Sequence, residues 1–206
     1  MNILHIDSSV LADNSVTRAL SARLTETLTA AYPGVSVTYR DLAADPLDHL
    51  SGHVLAARFG AEVARTPAQA EDLARSERAL DDFLAADVVV IGAPMYNFAI
   101  PSQLKAWIDR IAVAGRTFRY TESGVEGLAA GRKVIVVSSR GGVYSAGAMA
   151  DFDFQEAYLK RLFGFLGVTD IEFVRAEGVN LGPDQKAQAV AAAQADIDGR
   201  ALRVAA

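Results

Sequence analysis

At 206 residues, 51% hydrophobic and 22% charged, the chain is long enough to bury one full α/β core and too apolar to remain disordered. Its formal net charge of -5 argues against nucleic acid and anionic membrane as partners, since both need a basic face. With no cysteine there is no disulfide, thiolate nucleophile or thiol redox centre, so any redox chemistry has to come with a bound cofactor.

The start, MNILHIDSS, has neither the basic region nor the long apolar core of a signal peptide, and no apolar run nears the roughly 20 residues that cross a bilayer. A cytoplasmic, single-domain protein over residues 1–206 is expected. The first apolar run, Ile3 to Ile6, reads as a strand. A helix follows from Ser15 or Val16, with Leu20, Leu24 and Leu28 on one stripe, and stops at Pro33-Gly34. Val35 to Tyr39 is the second strand. Asp41 to Arg65 reads as a surface excursion with a short helix, and Thr66-Pro67-Ala68-Gln69 has the form of a capping box opening a helix to about Ala85.

Val88 to Ile91 is almost continuously β-branched, as suits a central parallel strand covered on both faces. After a Gly-Ala-Pro bend, Pro101 opens a helix whose Leu104, Trp107, Ile108 and Ile111 share one face, with Gly115 as its end. Arg116 to Gly131 is a glycine-punctuated excursion. Val134 to Val137 is the fourth strand, Ala150 to Gly167 the fourth helix, Ile171 to Val174 the fifth strand, and Pro183 to the C-terminus the last helix. Strands alternating with helices predict a doubly wound, five-stranded parallel sheet with helices on both faces.

In such a sheet, ligands sit beyond the carboxyl ends of the strands. The first strand runs into DSSVLADNSVTR, whose Ser9, Ser15 and Thr17 lead into a helix N-terminus able to hold a phosphate. The same residue types also cap helices and make turns, so both uses stand. Neither G-x-G-x-x-G after this strand nor G-x-x-x-x-G-K-[ST] occurs, which favours a mononucleotide over a dinucleotide or a P-loop ligand. The third strand leads to GAPMYNF and the fourth to SSRGGVYSAG, where a lone Gly141-Gly142 is equally a turn and a place of close backbone approach. Trp107 and His5 read as core. His49 and His53 lack the H-E-x-x-H pattern, so no metal is expected.

APMYNFAIPSQLK (Ala93 to Lys105), TFRYTESGVEGL (Thr117 to Leu128) and SSRGG (Ser138 to Gly142) closely resemble the FMN-dependent NADH:quinone oxidoreductase or azoreductase family, which has the flavodoxin-like fold. The likeness runs from the first strand through GFLGVTDIEFVRAEG, Gly164 to Gly178. It implies that Ser9, Ser15, Val16 and Thr17 bind the FMN phosphate, Val16 through its backbone alone. It further implies that Met95, Tyr96, Asn97 and Phe98 line the isoalloxazine, and that Ser139, Arg140, Gly141 and Gly142 enclose its pyrimidine edge. Arg140 has a second use open to it, pairing with a nearby carboxylate. Family members are homodimers with sites formed between subunits, which makes Phe98, Tyr120 and Phe165 candidates for the substrate pocket. Phe165, like Phe163, also suits core packing. Val143 to Gln155 departs from the family pattern.

The expected activity is ping-pong hydride transfer from NADH or NADPH through bound FMN to quinones and azo compounds, with no catalytic side chain required. An FMN electron carrier without small-molecule turnover is the alternative, and a flavin-free binding domain a more distant one.

Overall fold

The computed structural model describes residues 1–60 and 64–204, with side chains up to residue 200. The strands are β1 (Asn2–Asp7), β2 (Ser36–Asp41), β3 (Val88–Gly92), β4 (Phe118–Thr121), β5 (Gly124–Gly127), β6 (Lys133–Arg140) and β7 (Asp170–Glu177). The α-helices are α1 (Val16–Ala31), α2 (Gly52–Arg58), α3 (Pro67–Ala85), α4 (Ser102–Ile111), α5 (Phe154–Phe165) and α6 (Pro183–Val204). Five strands pair in parallel in the order β2-β1-β3-β6-β7, the expected doubly wound sheet.

Period-two alternation divides the core between the two faces. Leu4, Ile6, Val89, Ile91, Val134 and Val136 meet α3, α4 and α5, where Phe83, Trp107 and Phe163 are fully buried. Ile3, Val88, Val90, Ile135, Val137 and Val174 meet α1 and α6 through Leu20, Leu24 and Leu28 on one helix and Ala189, Ala193 and Ile197 on the other. Trp107 is core, packed edge-on against Phe83. His5 is also buried, against Asp7 and the Tyr39 ring.

Side-chain caps set the starts of α1 and α3. Ser15 caps α1 by accepting the Arg18 N–H at 3.3 Å, and the capping box of α3 closes from Gln69 N to Thr66 Oγ1 and from Thr66 N to Gln69 Oε1. The excursion after β2 contains the short helix α2; its residues 61–63 lie outside the described ones, as do the last two residues of the chain. It is pinned by Arg110, which is fully buried and donates to the carbonyls of Asp48 and His49. His49 is exposed, while His53 bonds to Ser51 and Asp72.

Three boundaries differ from expectation. The helix after Pro101 ends at Ile111 and not at Gly115, because the Thr117 hydroxyl donates to the Ile111 carbonyl at 2.8 Å and accepts the Val113 N–H at 3.0 Å. Residues 116–131 are more than a loop: they hold the antiparallel hairpin β4–β5, whose four-residue, largely exposed strands leave no alternation to detect. The helix predicted from Ala150 begins at Phe154, after a 3-10 turn over Gly147–Phe152, because the Asp153 carboxylate accepts the N–H groups of Gln155 and Glu156 as the true N-cap.

Candidate functional site

Chain order reverses between β1 and β3, since β1 leads to β2 on one side while β3 lies on the other. That switch point opens a crevice at the carboxyl edge. The loops after β1, β3 and β6, three neighbouring strands, meet there and are joined by backbone. Ser8 donates through N and Oγ to the Gly92 carbonyl at 3.1 and 2.7 Å; Ala93 N bonds Val137 O at 2.8 Å and Met95 N bonds Ser139 O at 2.9 Å. Between them lies a cleft of about 190 Å³, lined by Ser9, Ser15, Val16, Met95, Tyr96 and Ser139 among others.

One end of the cleft is built of hydroxyls. Ser9, Ser15 and Thr17 are buried, with Ser15 Oγ and Thr17 Oγ1 2.9 Å apart. Val16 and Thr17 are the first two helical residues, so α1 itself offers no acceptor for their N–H groups. Arg18 is turned away into a two-pronged pair with Asp41, both contacts at 2.6 Å, and braces the loop by donating to the Ser9 carbonyl at 3.0 Å. That pairing raises the Arg18 pKa and lowers that of Asp41.

The wall formed after β3 is a strained turn. Asn97 and Phe98 both have positive φ, 47° and 69°, between reciprocal backbone bonds from Tyr96 N to Ala99 O and from Ala99 N to Tyr96 O. This is the pattern of a primed two-residue hairpin, which normally takes glycine. A phenylalanine there costs about 1–2 kcal/mol. The turn holds Phe98 at the surface beside Tyr144 and Phe152, and directs the Tyr96 hydroxyl back to Ser9 Oγ at 3.3 Å.

Arg140 is fully buried and takes the second of its two uses. Its guanidinium meets Asp153 at 3.0 Å, Glu156 at 2.6 Å and Glu177 at 3.2 Å, and its Nε donates to Ser138 Oγ. Glu177 also accepts the N–H groups of Tyr144 and Ser145 and the Ser145 hydroxyl. Burial alone would push the Glu177 carboxyl up, but these donors and the Arg140 charge outweigh it and hold it below the usual range. Neither Gly141 nor Gly142 has positive φ, so a left-handed turn is not their reason. A Cβ on Gly141 would stand 2.8 Å from Asn180 Nδ2, and one on Gly142 would stand 3.2 Å from the Tyr144 ring.

Tyr120 and Phe165 lie elsewhere. The helices α4 and α5 each start at the carboxyl edge and run back, so the hairpin after α4 and the last residue of α5 lie at the opposite edge of the sheet. There Phe118 packs against Phe165 at 4.7 Å and Tyr120 at 5.6 Å, and Tyr120 is 74% exposed. Within one chain the structure brings together Ser9, Ser15, Val16, Met95, Tyr96, Ser139 and Gly141, and leaves Tyr120 and Phe165 apart from them.

Sequence reasoning missed the second layer of the site. Gln155 is fully buried; its amide accepts from Ser138 Oγ and donates to the carbonyls of Ala93 and Pro94, joining two site loops. Glu156, Glu177, Asn180 and Lys186 were also missed. The one available signal was Asp153 two residues before Gln155, a capping spacing that would have placed Gln155 and Glu156 in a first helical turn.

The family model described as flavodoxin-like fold matches residues 1–201. An FMN-dependent NADH:quinone oxidoreductase of Sinorhizobium fredii is 57% identical over 206 residues, covering 100% of both chains, and one of Chromobacterium violaceum is 53% identical over 202 residues, covering 98% of this chain and 100% of its own. The crystal structure of an FMN-dependent NADH-azoreductase from Bacillus anthracis in complex with FMN superposes with a TM-score of 0.90 at 29% identity, covering 100% of this chain and 99% of that one.

Two outcomes follow from this geometry. Asn97→Gly is expected to be near neutral in stability and Asn97→Val to lose about 1–2 kcal/mol in urea unfolding, since only the latter resists positive φ; equal effects would contradict the strained turn. For Glu156, burial would raise the carboxyl, but hydrogen bonding from Arg175 and the charges of Arg140 and Arg175 outweigh it and lower its pKa. Its stabilisation is therefore full above the unfolded value of about 4.3 and lost as pH falls through the lower folded value. Glu156→Gln is expected to cost about 3 kcal/mol or more at neutral pH and to converge with the wild type in strong acid. A gap that does not change with pH would contradict this.

Proposed function

The chain belongs to the family of FMN-dependent NADH:quinone oxidoreductases with the flavodoxin-like fold, and from that premise we propose that it passes hydride from NADH or NADPH through bound FMN to quinones and aromatic azo compounds. The observation that carries this reading is the cleft at the switch point, with hydroxyls and unpaired helix N–H groups at one end and Met95 and Tyr96 along a wall. When bound, FMN supplies the redox chemistry, so the protein needs no nucleophile of its own.

The donor set fits such a group. Ser9 and Ser15, the N–H groups of Val16 and Thr17, and the Thr17 hydroxyl would hold a phosphate. Met95, Tyr96, Asn97 and Phe98 would lie along the ring, with Phe98 also offering its face to an aromatic substrate. Ser139, Arg140, Gly141 and Gly142 would enclose the pyrimidine edge, Arg140 through its backbone, because its guanidinium is already committed to three carboxylates. Backbone donors at that edge would stabilise negative charge arising there.

The reading includes a homodimer. Tyr120 and Phe165 sit at the far edge of their own sheet, so a second copy is what would bring them to the cleft: Tyr120 and Phe165 of the partner subunit would complete the substrate pocket. A groove of about 770 Å³ between α4 and α5, with Ile100, Ala106, Phe154 and Ala157 among its lining, supports pairing across these helices. No helix of the described residues is long and apolar enough to cross a membrane, and the reading takes the protein as cytoplasmic.

If donor and acceptor use one pocket in turn, initial rates with NADH and a quinone varied together will give parallel reciprocal plots. Intersecting plots would contradict the shared pocket, and no turnover with either nicotinamide would contradict the enzyme.

A further inference from the structure

Of the four lysines in the chain, three are held by carboxylates: Lys105 by Asp109, Lys133 by Asp170 and Glu172, and Lys160 by Glu156. Lys186 has no partner among the described residues. It stands in the first turn of α6, where its N–H bonds to the Gly182 carbonyl at 3.0 Å. A cation is poorly placed there, because the N-terminal end of a helix already carries partial positive charge.

What Lys186 faces resolves the misfit. It lines the same cleft as Ser9, Ser15, Val16 and Asn180, and among the described residues that line the cleft it is the one with a formal charge. α1 and α6 pack side by side through Leu20, Leu24 and Leu28 against Ala189, Ala193 and Ile197, and both begin at the carboxyl edge of the sheet. Two helix N-termini and the unpaired Lys186 therefore border the same cleft as the Ser9 and Ser15 hydroxyls, in a chain whose net charge is -5. The other nearby cation, Arg18, is neutralised by Asp41.

We propose that Lys186 is a cofactor-binding residue whose ammonium pairs with the phosphate monoester of FMN and closes that end of the cleft. This rests on the FMN reading above and adds to it a charged partner for the phosphate. Its role is binding and retention, with no part in the redox step. Free in the absence of the phosphate, the side chain gains its partner only when the cofactor is present.

The test compares FMN with riboflavin, which has the same ring and ribityl chain but no phosphate. The full-length chain freed of flavin is titrated with each, following flavin fluorescence, at low and high salt. Lys186→Gln is expected to weaken FMN about tenfold, to leave riboflavin unchanged and to flatten the salt dependence of FMN binding, whereas Lys186→Arg keeps most of the affinity. Arg78→Gln, on the exposed face of α3 where Arg78 pairs with Glu71, makes the same change in net charge away from the cleft and is expected to leave FMN binding intact. The proposal is overturned if Lys186→Gln leaves FMN affinity unchanged, if it weakens both flavins alike, or if Arg78→Gln has the same effect. Unchanged FMN affinity with weaker NADH capture would overturn it in favour of the dinucleotide's phosphates. A wild-type chain that binds neither flavin would contradict the FMN reading itself, and is seen before any variant is compared.

Discussion

A guanidinium with no exposure to solvent has to be matched by charge and hydrogen bonds, or the segment that carries it cannot stay folded. Arg140, at the end of β6, is matched by Asp153, Glu156 and Glu177, which come from two parts of the site, the start of α5 and the end of β7. Asp153 is the N-cap of α5, Glu156 lies in its first turn, and Glu177 ends β7 and holds the backbone of Tyr144 and Ser145. The surplus negative charge is met by Arg175 and Lys160 on Glu156. One buried cation thus fixes where the glycine loop runs and where α5 begins. From there Gln155 and the Phe154 N–H, bonded to the carbonyls of Ala93, Pro94 and Phe98, fix the loop after β3.

That bracing explains how the protein sustains a turn that is unfavourable on its own. Asn97 and Phe98 sit in left-handed backbone that glycine would adopt without strain. The choice of an aromatic residue is understandable if the exposed ring is used, because strain of this kind persists where surrounding structure over-determines it. The cleft beside it has the opposite character, with hydroxyls, helix N–H groups and a free ammonium. A wall carrying Met95 and Tyr96, joined to an anion-seeking end, suits a phosphorylated ring ligand.

How much of this could be read from residues alone varied with how local the cause was. The central strands announced themselves, because Val88 to Ile91 and Val134 to Val137 are buried on both faces and cannot be polar. Caps written within four residues, such as Thr66 to Gln69, were legible for the same reason. The end of α4 was not, since it depends on the Thr117 hydroxyl returning from beyond Gly115, and the β4–β5 hairpin was hidden by strands too short and exposed to alternate. At the candidate site, the loops after β1, β3 and β6 were reached through strand ends and resemblance. Their supports, Gln155, Glu156 and Glu177, look like ordinary polar helix and strand residues until packing shows them buried around Arg140. The placement of Tyr120 and Phe165 at the far edge is likewise a property of topology, invisible in their spacing.

The most direct measurement is an anaerobic titration of the FMN-reconstituted protein with NADH, followed by visible absorption. The account predicts loss of the flavin bands in a single phase, complete at one NADH per flavin, and their return when quinone is added. A bound flavin whose spectrum is untouched by NADH and by NADPH would contradict it.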